Sequence, residues 1–162
     1  MEIRKSNSED INEIMNCIDF ARKLMRASGN SVQWINGYPS KELMLESIEN
    51  GFNFLILKNG EVVATFDFII GNDPNYSVIE NGAWLNDDPY GVIHRLASNG
   101  KAKGVAKFCF EWCFSQFPNI RIDTHETNIA MQKVLEKLGY QKCGIIYVAD
   151  GTPRLAYQLV NS

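Results

Sequence analysis

Between Gly91 and His125 the chain runs an apolar stretch, a glycine-containing turn, an amphipathic stretch and a second apolar stretch. No other feature constrains the fold as much, because a strand–helix–strand order implies parallel neighbours joined by a right-handed crossover. The spacing predicts strands over 91–98 and 120–125 around a helix over 104–117, with Val105, Phe108, Cys109 and Trp112 as its apolar stripe. A further helix over 128–138 carries Met131, Val134, Leu135 and Leu138 on one face and leads to strands over 140–148 and 154–159.

The first half has a different rhythm. Glu2–Lys5 reads as a short strand, and Ser6-Asn7-Ser8-Glu9 fits a capping box with a hydroxyl at the N-cap and a carboxylate three residues on. Ile11, Ile14, Met15, Ile18 and Met25 follow at helical spacing, so a helix is expected from Ser8 to about Ala27. Ser40 caps a second helix over 41–50, ended by Gly51. Asn59-Gly60 between the apolar runs 52–57 and 62–70 is a strong hairpin signal. In the second run Val62, Ala64, Phe66 and Phe68 alternate with Thr65 and Asp67, as in a strand with one face toward solvent. An antiparallel first half and a parallel unit in the second predict an α/β (α+β) fold: one mixed, mostly antiparallel sheet of about seven strands with helices on both faces. No repeat or linker interrupts residues 1–162, so a single domain is expected.

Composition excludes several classes. At 162 residues, 45% apolar and 22% charged, the chain is neither disordered nor a small disulfide scaffold. A net charge of −3 argues against a nucleic-acid partner. No apolar run approaches the roughly 20 residues of a membrane span, and MEIRKSNSED lacks the apolar core of a secretory signal, which makes the cytoplasm the expected address. Cys17, Cys109, Cys113 and Cys143 lack the spacing of a metal site, and His94 and His125 are the only histidines, so no metal is expected.

The chemistry-bearing stretch is the join between the fourth strand and the third helix, His94-Arg95-Leu96-Ala97-Ser98-Asn99-Gly100-Lys101-Ala102-Lys103-Gly104-Val105-Ala106. Small residues let a ligand approach the backbone. The unpaired amides and positive dipole end of the following helix make an anion site suited to a diphosphate. Lys101 and Lys103 add charge, yet an ordinary strand-to-helix turn with solvated lysines has the same composition.

Context separates these readings. Lys101-Ala102-Lys103-Gly104-Val105-Ala106 resembles motif A, Gln/Arg-x-x-Gly-x-Gly/Ala, of the GNAT (general N-acetyltransferase) superfamily, and it follows an apolar strand as that motif does. Asn128, with Leu138-Gly139-Tyr140 closing its helix, resembles motif B, and Arg121-Ile122-Asp123-Thr124-His125 fits the strand before it. With Gln33-Trp34, Gly37-Tyr38-Pro39 and His94-Arg95-Leu96-Ala97, the chain looks most like bacterial members of that superfamily, over nearly its whole length.

The resemblance implies a GNAT-like acyl-CoA N-acyltransferase fold and an acetyl-CoA-dependent N-acetyltransferase acting on a small-molecule or peptide amine. In such enzymes the fourth and fifth strands splay and the pantetheine arm pairs with the fourth, here Leu96, Ala97 and Ser98. The diphosphate rests on amides from Lys101 through Ala102, Lys103, Gly104 and Val105 to Ala106, and Asn128 meets the pantetheine or cysteamine region. Two positions depart from the pattern. Lys101 keeps the charge of the usual Gln/Arg position without a planar fork, and Leu135 stands where many members carry a proton-donating Tyr.

Amine attack on a thioester needs a base, and the candidates are His94, Asp123 and His125, with Glu80 and Tyr147 behind them. His94 reads equally as a hydrogen-bonded core histidine, and Asp123 as the partner of Arg95 or Arg121. Glu80 reads equally as a solvated loop carboxylate, and Cys143 is better explained as a small apolar strand residue than as a nucleophile. Trp34, Tyr38, Tyr76, Trp84 and Tyr90 lie in the two long loops, where they either wall an acceptor pocket or plug the ends of the core. The rival functions are a non-catalytic CoA-binding sensor of the same fold and an α/β protein whose turn binds another phosphate or nothing. An exposed edge strand leaves a homodimer open.

Overall fold

The structure, a computed structural model, describes residues 1–161. Seven strands follow the order β1-β2-β3-β4-β5-β7-β6. They are β1 (Glu2–Lys5), β2 (Asn53–Lys58), β3 (Glu61–Ile70), β4 (Gly91–Ser98), β5 (Asn119–Thr124), β6 (Gln141–Tyr147) and β7 (Pro153–Val160). The helices are α1 (Ile11–Ala27), α2 (Lys41–Glu49), α3 (Val105–Gln116) and α4 (Ile129–Lys137). β4 and β5 pair in parallel, Gly91 with Ile120 and Val92 with Arg121. The β1–β2, β2–β3, β5–β7 and β6–β7 pairs are antiparallel, so the sheet is mixed, as the order of apolar runs predicts. By contact density the chain divides into two compact units, Met1–Phe68 with His94–Cys109, and Ile69–Ile93 with Phe110–Ser162.

In the first unit, α1 buries Ile14, Cys17 and Ile18 against Met44 of α2, Leu55 of β2 and Ala97 of β4. A fully buried isoleucine is worth about 1.5–3 kcal/mol. The capping position lies one residue later than the sequence suggests, and the α-helix itself starts at Ile11 and not at Ser8. Asn7, not Ser6, is the cap, and its reciprocal partner is Asp10 rather than Glu9, across a short 3-10 turn at Ser8–Asp10. Asp10 also pairs with Arg4, which holds the carboxylate below its ordinary range. Ser40 caps α2 by accepting from the Leu43 amide at 3.1 Å. Asn59 and Gly60 turn the β2–β3 hairpin with φ of 53° and 79°, the left-handed pair that matches strand twist.

The alternation along β3 does not mark a solvent face. Thr65 and Asp67 are as buried as Ala64 and Phe66. Asn53 Nδ2 donates to Thr65 Oγ1 at 3.0 Å and to Asp67 Oδ1 at 2.8 Å, so the polar positions face one another inside the protein. Hydrogen bonding is what makes such burial tolerable.

In the second unit, Tyr76, Tyr90, Val92, Ile146 and Ala156 form a cluster against which Trp84 packs. The Arg121 guanidinium lies 4.3 Å from the Trp84 ring centre and 4.0 Å from that of Tyr90. The stretch between β3 and β4 is fastened at several points. Gln158 Oε1 accepts from the Leu85 amide at 2.9 Å, and Asn119 Nδ2 donates to Pro89 O at 3.0 Å. Glu80 exchanges two 2.8 Å backbone hydrogen bonds with Ile145. On α3 the buried positions are Val105, Cys109, Phe110 and Cys113, while Phe108 and Trp112 of the expected stripe are half-buried.

Candidate functional site

The first unit carries the turn between β4 and α3. Its start is bound to β3: the Asn99 amide donates to Val63 O at 3.0 Å and Asn99 Nδ2 to Val62 O at 2.9 Å. Two amides of the turn are taken locally, Gly100 N–H by Ser98 Oγ and Lys101 N–H by Asn99 Oδ1. Gly100 is favoured by its φ of 78°, and a Cβ there would stand 2.5 Å from the exposed Phe20 ring of α1, which would have to swing aside. Gly104 is required by conformation: φ is 73°, and no atom lies within 4 Å of where its Cβ would be.

Phe108 N–H donates to Gly104 O at 3.0 Å in the first turn of α3, so the amides of Val105 and Ala106 stand at the head of the helix. Left-handed glycine, open space, first-turn amides and the exposed Lys101 and Lys103 together suit a diphosphate. Ala102 is half-buried within the turn. Nearby, burial and Glu13 push the Cys17 thiol up to about 11 against the opposing pull of Lys101, which makes it a packing residue and not a nucleophile.

β4 places His94 and Leu96 half-buried, Ala97 in the core and Ser98 half-buried at the strand end. Arg95 between them is in the left-handed region at φ 55°. Its guanidinium pairs with the buried Asp67 and donates through Nε to the Tyr38 hydroxyl at 3.0 Å. Burial opposes its charge, but Asp67 and Tyr38 more than compensate and raise its pKa. Arg95 therefore pairs with Asp67, not Asp123. Tyr38 is exposed, whereas Trp34 is half-buried and packs on the core of α1 and α2. The Asp67–Arg95–Tyr38 contacts join residues far apart in the chain, and their one local trace in the sequence is an aspartate at an apolar-flanked strand position.

The second unit carries the remaining candidates. Asp123 Oδ2 accepts from the Tyr76 hydroxyl at 2.6 Å, and Arg121 donates to Asn86 O at 2.7 Å, so neither arginine considered as a partner for Asp123 fills that role. Burial and Asp123 drive the Tyr76 phenol well above its ordinary range. His125 lies just past β5, and its Nδ1 accepts from the Thr127 amide at 3.1 Å. The Thr127 hydroxyl oxygen lies closer still to the same nitrogen, at 2.8 Å. Burial, then Arg154, lowers the His125 pKa.

Asn128 caps α4, its Oδ1 accepting from the Met131 amide at 3.2 Å. Leu135 is fully buried. Tyr147 is exposed, and the neighbouring Glu80 side chain raises its pKa. Trp84 Nε1 donates to Tyr76 O at 3.0 Å, and the rings are 5.2 Å apart, which makes Trp84 a packing residue of the second-unit cluster. Cys143 is buried with a raised pKa. Among the described residues no group of three or more His, Cys, Asp or Glu side chains could hold a metal ion, and no helix is long and apolar enough to cross a membrane.

Residues 1–141 match the family described as acetyltransferase (GNAT) domain. No protein of curated function matches the chain. The crystal structure of a GNAT-family acetyltransferase from Streptococcus agalactiae 2603 is 34% identical, with a TM-score of 0.91 over 99% of this chain and 95% of that one. One from Listeria monocytogenes 4b F2365 is 19% identical, with a TM-score of 0.71 over 97% and 92%. A ribosomal-protein-alanine N-acetyltransferase from Brucella melitensis is 13% identical, with a TM-score of 0.64 over 99% and 100%. The last two are likenesses of fold.

Proposed function

The chain belongs to the GNAT acetyltransferase family and is an acyltransferase, and from that premise we propose that it moves an acetyl group from acetyl-CoA to a primary amine of a small molecule or peptide. The observation that carries the donor assignment is the turn at Gly104, with its left-handed glycine, unfilled space and first-turn amides. In this reading residues 1–162 work as one domain. Lys101, Ala102, Lys103, Gly104, Val105 and Ala106 hold the diphosphate. Leu96, Ala97 and Ser98 offer backbone to the pantetheine arm, and Asn128 contributes from the head of α4. Acetyl-CoA, when bound, supplies an activated acetyl thioester.

The chain's own task is proton management. A primary amine has a pKa of about 10.4 and must lose a proton before it attacks. His94, half-buried on the strand assigned to the donor, is proposed as that base. Asp123 is held by Tyr76 and the His125 ring by Thr127, so both are proposed to orient and not to accept the proton. The leaving thiol, with a pKa of about 8.5 if it resembles cysteine, departs as thiolate and takes its proton from solvent; fully buried Leu135 supplies none. Trp34, Tyr38, Glu80 and Tyr147 are proposed to border the acceptor.

Release of free CoA thiol from acetyl-CoA, measured with a panel of aliphatic amines, diamines and short peptides, tests this. Amine-dependent release that is lost in His94→Ala while acetyl-CoA still binds is the expected result. Binding of acetyl-CoA with no release by any amine would overturn the acceptor class.

A further inference from the structure

A chain of polar contacts links the buried centre of the first unit to its surface loop. Asp67 on β3 is fully buried, its Oδ1 accepting from Asn53 and its Oδ2 from Arg95 Nη1. Arg95 Nε donates to the Tyr38 hydroxyl at 3.0 Å, and the guanidinium stands 5.7 Å from the Tyr38 ring centre. The backbone around Tyr38 is gripped from α1. Arg22 donates to the carbonyls of Gly37, Tyr38 and Pro39, and Arg26 to those of Gln33 and Trp34. Tyr38 is thus fixed at its carbonyl by a helix and at its hydroxyl by β4.

Arg95 is the unusual member. A non-glycine residue at φ 55° inside a strand persists only where its surroundings over-determine it. The buried Asp67 carboxylate and the Tyr38 hydroxyl provide that over-determination from two sides.

We infer that Asp67, Arg95 and Tyr38 are positioning residues for the acyl transfer: the ion pair holds the left-handed kink of β4 one residue after His94, and the Tyr38 hydroxyl ties the loop over 31–39 to that kink. The catalytic consequence rests on the proposed function, which assigns β4 to the acyl donor and Tyr38 to the acceptor side. The mechanical coupling does not.

Hydrogen exchange of the full chain separates the two. Asp67→Asn with Arg95→Ala and Asp67→Asn with Arg95→Gly both remove the ion pair without leaving a lone buried charge, and they differ only in tolerance of the left-handed backbone. In the alanine variant, amides over 94–99 and over 31–38 are expected to exchange faster together. In the glycine variant the strand segment should recover by about tenfold, the cost an alanine bears in that conformation. Tyr38→Phe should loosen the loop more than the strand.

Faster exchange confined to one segment, or a glycine variant no slower than the alanine one, would overturn the coupling. Thioester cleavage of acetyl-CoA with butylamine as acceptor reads the catalytic part. A kcat about tenfold lower in the alanine variant, partly restored by glycine, with an acetyl-CoA KM within about threefold, is expected for a positioning role; a rise in KM alone contradicts it. A wild type that neither binds nor cleaves acetyl-CoA would overturn the proposed function, and the exchange result would still decide the coupling.

Discussion

Gly104 has open space where a side chain would go and a backbone that favours none. Alanine there costs about 1–2 kcal/mol of stability through its backbone alone, and glutamate shares that cost. The difference between the two variants therefore isolates the side chain. A carboxylate about 4 Å from a phosphate is repelled by roughly 1–4 kcal/mol between bulk-water and near-surface screening. Gly104→Glu is expected to bind acetyl-CoA at least about tenfold more weakly than Gly104→Ala in calorimetric titration, at similar melting temperatures.

His125 makes a residue-scale prediction about pH. Its folded-state pKa is lowered, chiefly by burial and then by Arg154, so the native state prefers the neutral ring. The stability this contributes is present above the unfolded value of about 6.5 and is lost as pH falls through the lower folded value. Urea midpoints taken between about pH 7.5 and 5 should decline less in His125→Gln than in the wild type. Parallel declines would mean that the ring does not feel its surroundings.

Among the elements, the segment before β4 is held by steric fit as well as by hydrogen bonds. β6 carries a register shift between Lys142 and Gly144, and residues 80–82 lie against it. A Cβ on Gly82 would stand 1.8 Å from Cys143 O, and one on Gly144 2.5 Å from Glu80 O. Backbone cannot yield cheaply to such contacts, so Gly82→Ala is expected to cost about 2–3 kcal/mol or more in urea unfolding. Gly151→Ala, with a positive φ and nothing within 4 Å, should cost only the backbone penalty of about 1–2 kcal/mol. Equal losses would place the effect in backbone conformation and not in the contact with β6.

For the whole molecule the readable quantity is ligand linkage. A ligand that binds the native state at about 100 times its dissociation constant adds roughly 2.7 kcal/mol. Acetyl-CoA is expected to raise the melting temperature, with ATP and NAD leaving it nearly unchanged. A shift with all three would mean that the turn reads any diphosphate, and a shift with none would remove the donor assignment altogether.

The elements and their order can be read from local signals: the Asn59-Gly60 turn, the Ser40 cap, the apolar spacing of α1 and the strand–turn–helix around Gly104 each depend on neighbours a few residues away. The sequence also carried the family, through motifs whose spacing survives without a structure. Which polar groups meet is set by the folded chain. Asp67 alternates in sequence like a solvent-facing residue, yet Asn53 and Arg95, 14 and 28 residues distant in the chain, make its burial tolerable. Asp123 found Tyr76, 47 residues away, and the long segment before β4 was ordered by the amides of Asn119 and Gln158. Local periodicity reports how a segment can bury apolar surface; it has no term for a partner brought near by the fold, and buried polar groups are stable only with such partners.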